Sequence, residues 1–190
     1  MNVLIGKIIK DLLTPLPYFD KGAGLVQTIT KEDNSGSGKV KQVRFPIEVD
    51  VAEEKNAIAF VPDDSIKGMF YVEDGGSKHE GNNDWTSDIT LVCWLCPKKI
   101  AGNVEAVSAN AMADIMNIFK SFQNVAPVTK LKFNVVSSSI RSASIFSSYS
   151  YQETYSQYLM PPFDFFSLKI KASFRLSSSC LSPLIPADPC

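Results

Sequence analysis

One histidine and four cysteines in 190 residues leave few groups for nucleophilic, redox or metal chemistry. With His79 alone, a His-dependent triad has only one histidine to use, and no Gly-x-Ser-x-Gly nucleophile elbow accompanies it. Nowhere do about 18 apolar residues run uninterrupted, which excludes an ordinary transmembrane helix and makes no membrane partner expected. An excess of one charge is missing too. The 19 basic and 20 acidic residues give a formal net charge of -1, so no global field holds nucleic acid or an anionic membrane. The opening MNVLIGKIIKDLL has the apolar content of a signal peptide, but Lys7, Lys10 and Asp11 interrupt it and no small-residue cleavage site follows. The chain is therefore expected to be made and folded in a reducing cytoplasm, where its cysteines need form no disulfides.

What is present is 45% hydrophobic and 21% charged, the range of a globular domain. Ile5, Ile8, Ile9 and Leu12 fall at helical spacing, and Pro15 and Pro17 end that helix. From residue 24 the pattern turns to strands: Leu25 to Thr30, then Val40 to Val51 with Val43, Phe45, Ile47, Val49 and Val51 on alternate positions. The polar run KEDNSGSGK between them reads as the tip of a hairpin. Ala57 to Val61 and Ile66 to Val72 read as two short strands, and the polar stretch from Glu73 to Trp85 as a surface loop. Ser87 to Cys96 reads as a strand, and Lys98 to Asn103 as a turn. Residues 104 to 122 read as a helix with its stripe at Val107, Ala111, Ile115, Ile118 and Phe122, capped by Asn103 with Glu105 near the positive end of its dipole.

Val128 to Val136 alternates again, and after Pro161-Pro162 the run FFSLKIKASFRL is the cleanest half-buried strand. Phe166, Leu168, Ile170, Ala172, Phe174 and Leu176 face inward, with Ser167, Lys169, Lys171, Ser173 and Arg175 outward. The order implies an α+β fold, a mostly antiparallel sheet packed by an N-terminal helix and a longer central helix with long loops. Residues 1–176 are expected to form one domain, and 177–190, with three prolines, an irregular tail.

LVCWLCP at 91–97 spaces Cys93 and Cys96 as zinc half-sites and redox pairs do. In a strand of period two, positions three apart point to opposite faces, so the two thiols cannot share a metal there. No glycine turn separates them, no helix starts at Cys93 to depress a thiol pKa, and the other cysteines, 180 and 190, are ten apart. Burial as small hydrophobes is expected, in a central strand covered on both faces. GSGK at 36–39 lacks the spacing and following helix of a phosphate loop. Glu48 and Asp50 share a strand face without partner ligands, so no metal, cofactor or catalytic residue is expected. The aromatic cluster from Phe146 to Phe166 is either core cover or a protein contact surface.

An N-terminal amphipathic helix, strands with one long hairpin, a strand leading into a second helix at 87–122 and closing strands together resemble the tail-terminator and tail-completion (neck ring) proteins of tailed bacteriophages. The resemblance rests on element order over most of the chain, with an extra segment at 137–162 beyond the small members. It implies a non-enzymatic virion structural protein, made in the host cytoplasm, forming a homo-oligomeric ring, a hexamer, at the head–tail interface or tail end. Its partners would be neighbouring neck or tail proteins, with a passive contact to DNA in the lumen. The hairpin tip at 31–39, with Asn34 and Lys39, and the stretch 73–85, with His79 and Trp85, would then face the lumen or an adjacent ring. The tail 177–190 would lie on a neighbouring protein, and Tyr149, Tyr151, Tyr155 and Tyr158 are contact candidates. Two other classes stay open: a small-molecule or carbohydrate-binding module using exposed tyrosines and Trp85, and an enzyme using Cys93 or Cys96.

Overall fold

Helix α1 (Asn2–Leu13) leads into strands β1 (Lys21–Asp33) and β2 (Lys41–Glu48), followed by β3 (Gly68–Gly81) and β4 (Asp84–Leu95). The short α2 (Pro97–Ile100) and longer α3 (Val107–Ser121) precede β5 (Val128–Ile140). A 3-10 turn, the short α4 (Tyr151–Thr154) and a second 3-10 turn precede β6 (Asp164–Leu176). The computed structural model describes residues 1–33, 41–48, 59–100, 106–122 and 128–176.

The fold is α+β. All six strands form one sheet in the order β2-β1-β3-β4-β6-β5. Every neighbouring pair is antiparallel except β1 with β3, which run parallel. That exception follows from the chain path: β2 returns beside β1, and residues 59–67 then carry the chain across to β1's other side.

The sheet is buried on both faces, which is why the central β4 shows no polar alternation over its last five residues. On one face α1 and α3 cover Phe70, Leu91, Cys93, Leu95, Phe166 and Leu168. On the other, Met69, Tyr71, Val92 and Trp94 lie under the aromatic segment that contains Phe146, Tyr149 and Tyr151. Helix α1 buries Ile5, Ile8 and Ile9 as its spacing requires, with Leu13 fully buried and Leu12 half-buried. It sits so close to β1 that a Cβ on Gly6 would meet the Leu25 backbone nitrogen at 2.6 Å, so glycine at this helical position permits the contact. Lys10 Nζ to Glu48 Oε1 at 2.6 Å joins α1 to β2, and Asn2 donates to the Asp74 carboxylate of β3. Tyr18, beyond α1, donates to Asp114 Oδ2 of α3 at 2.6 Å, and that acceptor pushes the phenol up to about 12.

The stretch Glu73 to Trp85 is not a loop. It is the outer half of the β3–β4 hairpin, with Ser77 opposite Ser87, Lys78 opposite Thr86 and His79 opposite Trp85. Backbone pairing needs no apolar side chains, and the buried base from Met69 to Val72 anchors the ribbon. The turn is Asn82-Asn83, both at positive φ (48 and 64), a conformation asparagine adopts more readily than most residues. The strand expected at Ala57 to Val61 reduces to a bridge between Ala59 and Ile47, with residues 57 and 58 outside the described set. Where a turn was expected after Pro97, α2 forms. Helix α3 has Ala106 at its N-cap and buries Met112 and Phe119 besides Val107, Ala111 and Ile115. Asn103, Glu105, the tip 34–40, Asp50 and the tail 177–190 lie outside the described residues. In β6 all six residues expected inward are buried; Ser167, expected outward, is buried too, because this strand is covered on its second face near Phe165.

Candidate functional site

The Cys-x-x-Cys stretch resolves first. Cys93 lies on the helix-covered face, flanked across the sheet by Phe70 and Phe166, and is fully buried. Cys96 lies on the aromatic face just past β4, its backbone N–H donating to the Lys67 carbonyl at 2.7 Å. Both are free thiols, and burial pushes the Cys93 thiol well up from its ordinary value. A buried, high-pKa thiol is a poor nucleophile. Alkylation of the folded protein, read peptide by peptide by mass spectrometry, should find both cysteines inert until the chain unfolds. Fast labelling of either at neutral pH would reopen the thiol-enzyme reading.

The tyrosines, expected in part as a contact surface, are core cover. Tyr151 is fully buried and donates to the Phe60 carbonyl, and Tyr149 is buried with its hydroxyl donating to Glu73 Oε1 at 2.7 Å. Tyr155 and Tyr158 are half-buried against the same cluster. Four aromatic neighbours surround Tyr151: Phe45, Phe146, Tyr149 and Tyr155. A ligand-binding reading built on exposed tyrosines therefore loses Tyr149 and Tyr151. What the sequence missed is that serines between large aromatics can serve as turn residues: Ser142 and Ser150 cap or pin short helical turns, freeing the rings to fold over the sheet.

Glu73 lies half-buried beneath this layer, and its partial burial raises its pKa from the usual 4.5 while the Tyr149 hydrogen bond opposes that shift. The native state then holds this proton more tightly than the unfolded chain. Its contribution to stability is greatest below the unfolded value and declines as pH rises through the folded one. Glu73→Gln keeps an acceptor for Tyr149 and removes the half-buried charge. Urea unfolding should show the variant more stable than the parent at pH 7 and the gap narrowing towards pH 4; a gap that widens on acidification contradicts this sign.

A buried carboxylate, Asp164, accepts from Arg141 Nε at 2.8 Å and from the Phe165 backbone N–H at 3.0 Å, and Ser108 also donates to it. These contacts join the starts of α3 and β6 to the end of β5. No histidine stands beside this serine–aspartate pair, since His79 is exposed on β3 and packs on Trp85 with centroids 4.9 Å apart. The pair holds the fold together. Among the described residues, no three of His, Cys, Asp and Glu gather as a metal would require, and no helix is long and apolar enough to cross a membrane.

The remaining feature is the contrast between the sheet's two edges. The outer side of β2 is closed: Arg44 exchanges hydrogen bonds with Ser150, donating to Oγ and accepting from N–H, each at 3.0 Å. The Pro46 carbonyl accepts from Phe60 N–H at 2.9 Å. The outer side of β5 pairs with no described strand along 13 residues, and it carries Val136 at 64% and Ile140 at 53% exposure. Met160, 59% exposed, lines a small apolar pocket with Arg141 and Phe165 at the same end of the sheet. Neither Val136 nor Ile140 stood out in the sequence, because a strand's edge position is a property of topology. Asn34 and Lys39 lie outside the described residues, so of the sequence-derived candidates only His79 and Trp85 come together with substantial access to solvent. No protein-family model, no curated protein and no solved structure matches this chain.

Proposed function

We propose that the chain is a non-enzymatic structural subunit that assembles through the outer edge of β5, in a ring at the neck or tail end of a tailed-phage virion. The open edge carries this reading. A 13-residue strand that no described strand pairs on its outer side, and that bears exposed Val136 and Ile140, is an aggregation liability unless a partner covers it, and the same sheet's other edge is closed by Ser150 and Phe60. An edge that meets a different surface of the next copy makes a head-to-tail contact, which closes into a ring when the rotation allows. Backbone pairing supplies affinity in such contacts and side-chain alternation supplies register.

The supporting features are those that suggested the family at the level of element order: α1, the β1–β2 hairpin, β4 leading into α3 through α2, and the closing β5–β6 pair. In this reading the β1–β2 and β3–β4 tips face the lumen or an adjacent ring, where contact with DNA is passive because the chain's charges balance. Native mass measurement of the purified full chain over a wide concentration range tests it. A discrete ring, a hexamer in the first instance, is expected. A strict dimer would replace the ring with two-fold β5–β5 pairing, and a monomer at every concentration would remove the reading.

A further inference from the structure

A cavity of about 230 Å³ opens beside the start of β6, among residues of the 3-10 turn at Ala143–Phe146, the end of β5 and the segment from α4 to Met160. Its lining includes Phe146 and Phe165, both buried, with ring centroids 5.1 Å apart. Leu159 and Met160 add aliphatic and thioether surface, and Arg141 is the one charged side chain among the described lining residues. An apolar hollow with a few placed polar groups has the make-up of a small-molecule site.

Arg141 is held in place there. Its backbone N–H donates to the Phe165 carbonyl at 3.0 Å, and its Nε donates to Asp164 Oδ1 at 2.8 Å. Asp164 is 5% exposed and also accepts from the Ser108 hydroxyl and the Phe165 N–H, so a buried, fully engaged carboxylate sets the position of the guanidinium. The ion pair occupies Nε alone. A guanidinium carries five N–H donors, and the four on its terminal nitrogens meet no acceptor among the described residues. Arg141 also sits at φ 49, a left-handed conformation that few residues other than glycine adopt. Residues held in that region by their surroundings cluster at ligand clamps.

A planar fork with open donors matches a carboxylate bidentately. Because Asp164 already balances the charge, recognition rests on the geometry of the fork together with the apolar walls, not on an unpaired cation. Size sets the rest of the ligand: an apolar cavity of about 150 Å³ takes benzene, so one of about 230 Å³ has room for a ring and a carboxylate. We propose that this cavity binds a small arene monocarboxylate, its ring against Phe146 and Phe165 and its carboxylate on the terminal nitrogens of Arg141. Gln152 and Ser156, which also line the cavity, offer neutral donors to the same group. An Asp or Glu side chain from a second copy would satisfy the fork but lacks the ring that fills the hollow. The inference stands apart from ring assembly, since one chain supplies every wall.

The test is a titration of the full chain, carrying carbon-13 methionine methyls, with benzoate, benzamide and acetate. Of the five methionines, Met160 is the one that lines the cavity. Benzoate should move the Met160 signal saturably with a Kd below about 1 mM, and benzamide and acetate, each lacking half of the match, should bind at least about tenfold more weakly. Arg141→Lys keeps the charge and removes the fork, and it should erase the preference for benzoate over benzamide. Ala143→Trp puts a bulky ring at an exposed lining position and should abolish binding while the circular dichroism spectrum stays that of the parent. A Met160 signal that stays still up to about 10 mM benzoate overturns the proposal. So does equal binding of benzoate and benzamide to the parent, or undiminished binding to Ala143→Trp.

Discussion

Replacing Trp94 with alanine is expected to lower the stability of the chain by about 3–5 kcal/mol, the range for emptying a large, fully buried aromatic site. Trp94 sits in the central strand with no solvent exposure, stacks on Phe163 at 5.2 Å and meets the edge of Tyr158 at 6.3 Å. Its indole N–H donates to the Tyr158 carbonyl at 2.7 Å. The substitution therefore leaves both a cavity and an acceptor that has lost its partner, two penalties that add. Against a typical domain stability of about 5–15 kcal/mol, the loss is about a fifth of the total or more. Trp94→Phe keeps one aromatic ring and loses the donor with only part of the volume, so a smaller loss, about 2–3 kcal/mol, is expected. Urea unfolding of both variants checks this. If the aromatic segment were an interaction surface loosely laid over the sheet, Trp94→Ala would cost little, and that outcome would contradict the description of a second core.

The paired substitution Val136→Lys with Ile140→Lys is expected to convert assembled protein to monomer while leaving the unfolding midpoint of the monomer nearly unchanged, within about 0.5 kcal/mol. Both side chains are more than half exposed, so neither supports the core. Lysine on an edge strand is a device by which proteins prevent edge pairing, because docking would bury its charge or hold like charges together. As a control, Lys78→Ala on the β3–β4 hairpin removes an exposed ion pair and should leave the edge contact intact. Size-exclusion chromatography with light scattering reads both. Assembly that survives the lysine pair would place the subunit contact elsewhere.

How much of this could be read from the sequence differs by element, for physical reasons. The β6 pattern was legible because one face of that strand is fully buried and the other mostly wet, so side-chain chemistry reports geometry directly. Cys93 and Cys96 were legible by the same period-two argument, which put them in separate cores. The β3–β4 ribbon was hidden, since its outer half is held by backbone bonds and its side chains from Gly75 to Glu80 are exposed. Its one local signal was Asn82-Asn83, two residues tolerant of positive φ between candidate pairing partners. The tyrosines were ambiguous for a different reason. Large rings serve cores and interfaces equally well, and only the path of 141–163 across the sheet decides which. Edge exposure, which carries the functional reading, could not be legible at all, because it depends on which strands fail to acquire neighbours.

The most direct test of the central claim is amide hydrogen exchange across β5, measured on dilute full-length protein and again at a concentration where native mass shows the assembled species. If β5 is the subunit contact, amides between Lys130 and Ile140 that exchange fast when dilute should become protected on assembly, while Arg44, already bonded to Ser150, should exchange alike in both. Equal exchange along β5 in the two states, with protection arising on another surface, would contradict the account.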